Sequence, residues 1–194
     1  MKTTRLLLLA LLLIWSSAAS AGTPRGPAAG VCEREIARAA ERYDVPIPIL
    51  YAVGLTETGH KGSLQPYALN IEGKDYVATD LRDGLRAFRE AQARGARLID
   101  IGCMQMNHYW HGKEFNSLEE MFDPRRNVER AAAFLKELHR REGSWTTAVA
   151  RYNASPKNTA AGHRYTCRVI RNLVNAGVGH WTPDAKAYCD AAPK

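Results

Sequence analysis

The sequence predicts a mainly α-helical domain with a small β element inserted in it, and three observations carry that prediction. Apolar residues recur at three- and four-residue spacing along much of the chain, prolines and glycines stand where such runs start and stop, and one short stretch is instead organised around a Glu-Gly turn. The 194 residues leave room for one domain or two small ones. A composition 45% hydrophobic and 24% charged is that of a globular chain, neither disordered nor collagen-like.

From Val31 to Tyr43, Cys32, Ile36, Ala39, Ala40 and Tyr43 fall at helical spacing with charges between them, until Pro46 and Pro48 interrupt the run. A second helix begins near Pro48, whose fixed φ suits a first turn, and ends at Gly59. Tyr67 to Ile71 and Lys74 to Val77 flank Glu72-Gly73 as a hairpin. Asp80 can cap a helix on which Leu81, Leu85, Phe88 and Ala91 share a face and which stops at Gly95. Arg97 to Ile101 reads as a short strand leading into the compact run Gly102-Cys103-Met104-Gln105-Met106-Asn107. Asp123-Pro124 opens the clearest helix, with Val128, Ala131, Ala132, Leu135 and Leu138 on one face and Gly143 at its end. A shorter helix runs from Trp145 to about Asn153, Pro156 closes it, and Tyr165, Val169 and Leu173 mark a last helix before Gly177. No internal repeat or low-complexity tract interrupts this order.

The amino terminus has the layout of a secretory signal peptide: Lys2 and Arg5, the apolar run Leu6 to Trp15, then small residues to Ala21. Ten apolar residues are too few for a membrane-spanning helix of about 20, so the alternative of an uncleaved anchor is the lesser one. The expected organisation is a signal peptide over 1–21, a flexible Gly/Pro leader over 22–30, the folded domain over 31–177 and a tail over 178–194. An exported chain with no stable membrane anchor after cleavage follows, with a periplasmic location once the substrate below is considered.

With 27 Lys and Arg against 20 Asp and Glu, the formal charge is +7. A polyanionic partner fits that balance. The cations are spread over helical faces without interleaved aromatics, so a nucleic-acid groove is not expected. Four cysteines in an exported chain favour disulfides, for which three connectivities exist. Cys32 with Cys103 and Cys167 with Cys189 is the expected pairing, the first tying an amino-terminal helix to a buried central segment and the second clipping the tail; free buried thiols are the alternative. The lack of any C-x-x-C argues against zinc, and His108 and His111 offer two ligands with no third nearby, so no metal is expected.

The chemically informative residue is Glu57. On a helix it lies seven residues after Leu50, on the same face as Leu50, Val53 and Gly54. Burial there disfavours the carboxylate, so its pKa should rise and leave it protonated near neutrality, as a general acid requires. The plain alternative is an ordinary glutamate in the last turn of a helix.

Three motifs extend this reading. Glu57-Thr58-Gly59 resembles the catalytic Glu-Ser/Thr-Gly motif of the soluble lytic transglycosylases, relatives of goose-type lysozyme. Gly102-Cys103-Met104-Gln105-Met106-Asn107 is similar to that family's Gly-Leu-Met-Gln-Ile-Asn, and Ala150-Arg151-Tyr152-Asn153-Ala154 to its Ala-Tyr-Asn-Ala-Gly. They occur in the family's order, with the long helix between the second and third.

The resemblance implies a lysozyme-like helical domain whose cleft binds peptidoglycan and cleaves the β-1,4 bond between N-acetylmuramic acid and N-acetylglucosamine without water and without a cofactor. Glu57 would protonate the glycosidic oxygen, then take the proton of the muramoyl C6 hydroxyl as it closes onto C1. Tyr152 would hydrogen-bond Glu57 and fix its rotamer, and Met104, Gln105, Asn107 and Asn153 would line the cleft. Asp100, nearest the second motif, reads as a strand-end aspartate; were it to face Glu57, hydrolysis would compete. A non-catalytic peptidoglycan-binding scaffold is the remaining alternative. Cys103, Thr58 and Ser155 depart from the family's leucine, serine and glycine, and the span from Glu57 to Gly102 is longer than is common. Tyr67 to Gly73 and Ile99 to Gly102 look like members that serve secretion and pilus assemblies, so a secretion, pilus or flagellar assembly is the expected setting.

Overall fold

Residues 30–60 and 62–191 are described by the computed structural model. The predicted signal peptide and nearly all of the predicted leader lie outside them. The first helix, α1, spans Val31–Tyr43 and turns its Cys32, Ile36, Ala39 and Ala40 stripe inward. After Pro46, α2 runs Ile47–Thr58 and is apolar on nearly every side, the pattern of a helix inside the core. Gly54 is what lets it sit there, since a Cβ at that position would meet Leu64 Cδ2 at 2.5 Å and crowd Ile36 and Met104.

The hairpin forms as β1, Ala68–Ile71, and β2, Lys74–Val77. Asp80 caps α3, Leu81–Ala93, by accepting from the Asp83 amide. The strand predicted at 97–101 is shorter, β3 at Ile99–Ile101, and the run after it reverses the chain so that Met106–Asn107 form β4. The reversal uses Gly102 at φ 79° and Gln105 at φ 48°. The hairpin thus becomes part of a four-stranded antiparallel sheet in the order β2-β1-β3-β4, with Leu69 opposite Ile101 and Ile101 opposite Met106. This joining was not legible in the sequence because β4 is two residues long and follows a turn.

Two short helices also escaped the periodicity: α4, His108–His111, continued by a 3-10 turn at Gly112–Glu114, and α5, Leu118–Phe122. Neither is long enough to show an apolar stripe. Asp123 caps α6, Pro124–Glu142, which ends at Gly143 in the left-handed region as expected. Ser144 caps α7, Trp145–Asn153, and Asn158 caps α8, Thr159–Asn175.

The segment predicted as tail carries a further helix, α9, Pro183–Asp190, capped by Thr182. The predicted pairing of cysteines is the one observed, with Cys32–Cys103 fastening α1 to the chain reversal and Cys167–Cys189 fastening α9 to α8. In the core α6 packs on α1 and α7, α7 on α8, and α8 on α2. Among the described residues, no helix is long and apolar enough to cross a membrane.

Candidate active site

Period-two alternation in β3 decides what faces the cleft. Ile99 and Ile101 are buried, so Asp100 between them points to the opposite face, where it joins Glu57 on the lining of a cleft of about 450 Å³. Gln105, Asn107, Trp110 and Tyr152 line the same cleft, and Arg141, Arg151 and Asn153 stand along it as well.

Glu57 comes to the cleft on the last turn of α2, one turn beyond Val53 and Gly54. Thr58 anchors that helix end by donating its hydroxyl to the Cys103 carbonyl at 2.8 Å, tying the first motif to the second. Thr56 accepts from Asn172 Nδ2 at 2.9 Å, tying it to α8. Burial pushes the Glu57 carboxyl up to about 7; the Tyr165 hydroxyl bonded to Oε1 and the Arg168 charge oppose that rise, and the negative charge of Asp100 adds to it. Burial also raises Asp100, against an opposing hydrogen bond from Asn107 Nδ2 at 2.6 Å.

The hydrogen bond expected from Tyr152 to Glu57 is made by Tyr165 instead. Tyr152 donates to the Met104 carbonyl at 2.8 Å, and its single hydroxyl hydrogen is committed there. Tyr165 was legible only as one residue of the apolar face of α8; it is 1% exposed, and the signal for its role is that a buried phenol must find a partner for its hydroxyl. Arg168, about one turn later on the solvent side, lies with its guanidinium carbon 5.5 Å from the Tyr165 ring centre.

One other expected cleft residue is corrected. Met104 is fully buried and does not line the cleft, because the reversal at Gly102 and Gln105 turns it inward against Gly54. Met106 takes its place on the lining. Gln105 does line the cleft, but its Nε2 is held by the carbonyls of Ala68 and Gly102 at 3.2 and 3.0 Å, which leaves the amide oxygen for a ligand. Asn107 orients Asp100 and accepts from the amides of Tyr109 and Trp110.

Asn127, unremarked in the sequence, holds the whole second motif. Wholly buried on α6, it accepts from the Met104 amide at 2.9 Å and donates to the carbonyls of Ile101 and Met121 at 2.8 and 3.0 Å. A Cβ on Gly102 would strike its amide at 2.7 Å, so glycine is required there on both counts, space and φ. An asparagine four residues before Ala131, on the buried stripe of α6, was the available signal.

His108 packs edge-on against Phe88, and His111 Nδ1 pairs with Glu114 at 3.0 Å, so the two histidines serve α4. Among the described residues, no three His, Cys, Asp or Glu side chains are grouped to hold a metal.

A helical domain with a small sheet at one side and a protonatable glutamate in the cleft between them defines the class of the protein, a lysozyme-like fold. Residues 34–172 match the family model of the transglycosylase SLT domain, and the chain belongs to that family. No curated protein and no solved structure matches the chain. Family membership implies peptidoglycan as substrate and hence an exported location.

Proposed function

We propose that the protein is a periplasmic peptidoglycan lytic transglycosylase, cleaving the β-1,4 bond between N-acetylmuramic acid and N-acetylglucosamine with formation of a 1,6-anhydromuramoyl end. The observation that carries this is the state of Glu57: a carboxyl on the cleft with its pKa near 7 can give a proton to the glycosidic oxygen and take one from the muramoyl C6 hydroxyl at the same pH. The nucleophile resides on the sugar itself, so closure needs no second protein carboxylate and gains from high effective molarity. Tyr165 holds Glu57 in place, and Tyr152 supports the Met104 carbonyl behind it. The amide oxygen of Gln105, the amide of Asn153 and the cations Arg141 and Arg151 offer contacts to N-acetyl, hydroxyl and carboxylate groups of the strand. Export by removal of residues 1–21 and service to a secretion, pilus or flagellar assembly complete the proposal, supported by the signal-like amino terminus and by the Tyr67–Gly73 and Ile99–Gly102 runs.

Hydrolysis is the second reading, and one observation favours it: Asp100 lies on the same cleft as Glu57 and its charge is felt there. A second carboxylate could activate water, as paired acids do in other glycosidases. Mass spectrometry of peptidoglycan digested with residues Gly22 to Lys194, beside the Glu57→Gln protein, decides. Anhydromuramoyl ends made only by the wild type support the transglycosylase; reducing ends, heavier by one water, mean a muramidase; no product from either protein leaves a binding or scaffold role.

A further inference from the structure

Trp110 is 69% exposed and its neighbour Tyr109 47% exposed, a costly way to display two aromatic side chains unless something covers them. Their backbone is firmly held. Asn107 Oδ1 accepts from both amides at 3.0 and 3.4 Å, and the flanking residues of α4 are turned into the protein, His108 on Phe88 and His111 on Phe134, each with ring centres 4.8 Å apart. Tyr109 meets Trp110 edge-on with ring centres 4.6 Å apart, and the Arg97 guanidinium carbon lies 5.0 Å from the Tyr109 ring centre. The backbone that carries the two rings is therefore held, and the rings meet each other edge-on at the surface.

Trp110 is also the residue shared by two concavities. It lines the Glu57 cleft, and it lines a neighbouring groove of about 870 Å³ that runs between α3 and α4. That groove carries Gln92, Arg97 and Lys113, all exposed, whose side chains can donate to hydroxyl and acetamido oxygens.

We propose that Trp110, supported by Tyr109, is an outer sugar subsite: a pyranose ring of the glycan strand, beyond the pair held at Glu57, stacks on the indole as the strand leaves the cleft for the α3–α4 groove. A β-1,4-linked N-acetylhexosamine has its ring substituents equatorial, so its flat face presents C–H groups to the electron-rich face of an indole. Successive rings of such a strand extend in one direction, which matches two concavities meeting at one aromatic. The inference rests on the glycan substrate proposed above but not on whether the bond is broken with or without water.

The test uses the Glu57→Gln protein, which should bind without turnover, titrated with the disaccharide and the octasaccharide of β-1,4-linked N-acetylglucosamine and followed by titration calorimetry, since the tryptophan in question cannot report on its own removal. Adding Trp110→Ala should weaken octasaccharide binding roughly tenfold, the loss of one stacked ring, and weaken disaccharide binding at the cleft far less. Trp110→Tyr should recover most of the loss. In the active protein the same Trp110→Ala change should raise KM for long strands, with little effect on kcat or on the pH profile. Octasaccharide binding equally tight with and without the indole overturns the subsite while leaving the glycan reading intact. No binding of either sugar by the Glu57→Gln protein overturns both.

Discussion

The Tyr165 hydroxyl on α8 donates a hydrogen bond to Glu57 Oε1 at the end of α2, across a sequence separation of 108 residues. It is the contact that fixes the proposed acid in the cleft, and it opposes the burial that would otherwise raise the acid's pKa further. Tyr165→Phe should therefore do two things. Turnover should fall by roughly tenfold to a hundredfold, as Glu57 loses its orientation while keeping its proton, and the alkaline limb of kcat/KM should move to higher pH. A pH–rate profile that keeps its position would remove the hydroxyl from any electrostatic role at Glu57.

Tyr152→Phe removes a different bond, the one to the Met104 carbonyl. Stability should drop by about 1 kcal/mol, and activity should fall less than in Tyr165→Phe. Urea unfolding and steady-state kinetics on the two phenylalanine variants side by side would order them; the reverse order would return the orienting role to Tyr152.

Asp100→Asn takes a negative charge away from Glu57. That charge raises the Glu57 pKa, so its removal should lower it and shift the alkaline limb to lower pH, opposite to the Tyr165→Phe shift. The product decides more. Retention of anhydromuramoyl ends would leave Asp100 an electrostatic neighbour, whereas loss of reducing ends would make it the partner of a hydrolytic mechanism.

Glu57→Gln should abolish turnover, since an amide cannot serve as the general acid, and should also change stability in a pH-dependent way. In the folded state Glu57 titrates near 7 and in the unfolded state near its ordinary 4.5, so between those values the folded protein binds more protons. The wild type thus loses stability as pH rises through that window, and the glutamine variant does not lose this part. The advantage of Glu57→Gln in thermal unfolding should be absent at pH 4, grow to pH 7 and then level off, with a ceiling of about 3 kcal/mol. A constant difference across that range would mean that Glu57 is not perturbed by burial.

Asn127→Ala should cost about 2–4 kcal/mol, because it leaves the Met104 amide and the carbonyls of Ile101 and Met121 without partners in the core. Activity should decline with it, since the chain reversal that carries Gln105 is held by those bonds. Guanidinium unfolding checks the first expectation, and a loss below 1 kcal/mol would show that the reversal holds itself.

The sequence by itself determined the long elements, because they are long enough to show a period and are marked at their ends. Val31–Tyr43 stands where its apolar stripe and the prolines after it put it, and the Asp123-Pro124 to Gly143 helix where its stripe and cap put it. It also set Glu57 on the same helix face as Leu50 and Val53, since the local arithmetic of a helix is enough to place a carboxylate among apolar residues. Only the tertiary structure decided which phenol meets that acid. Tyr152 and Tyr165 are both buried-side tyrosines on adjacent helices, and the difference between them is the packing of α8 on α2, which no local pattern encodes. The same holds for Met104 and Asp100. Two residues with positive φ turned Met104 inward, and the pairing of β3 between β1 and β4 turned Asp100 onto the cleft. A period of 3.6 or 2 fixes which residues share a face; which face meets which depends on long-range contacts between elements far apart in the chain.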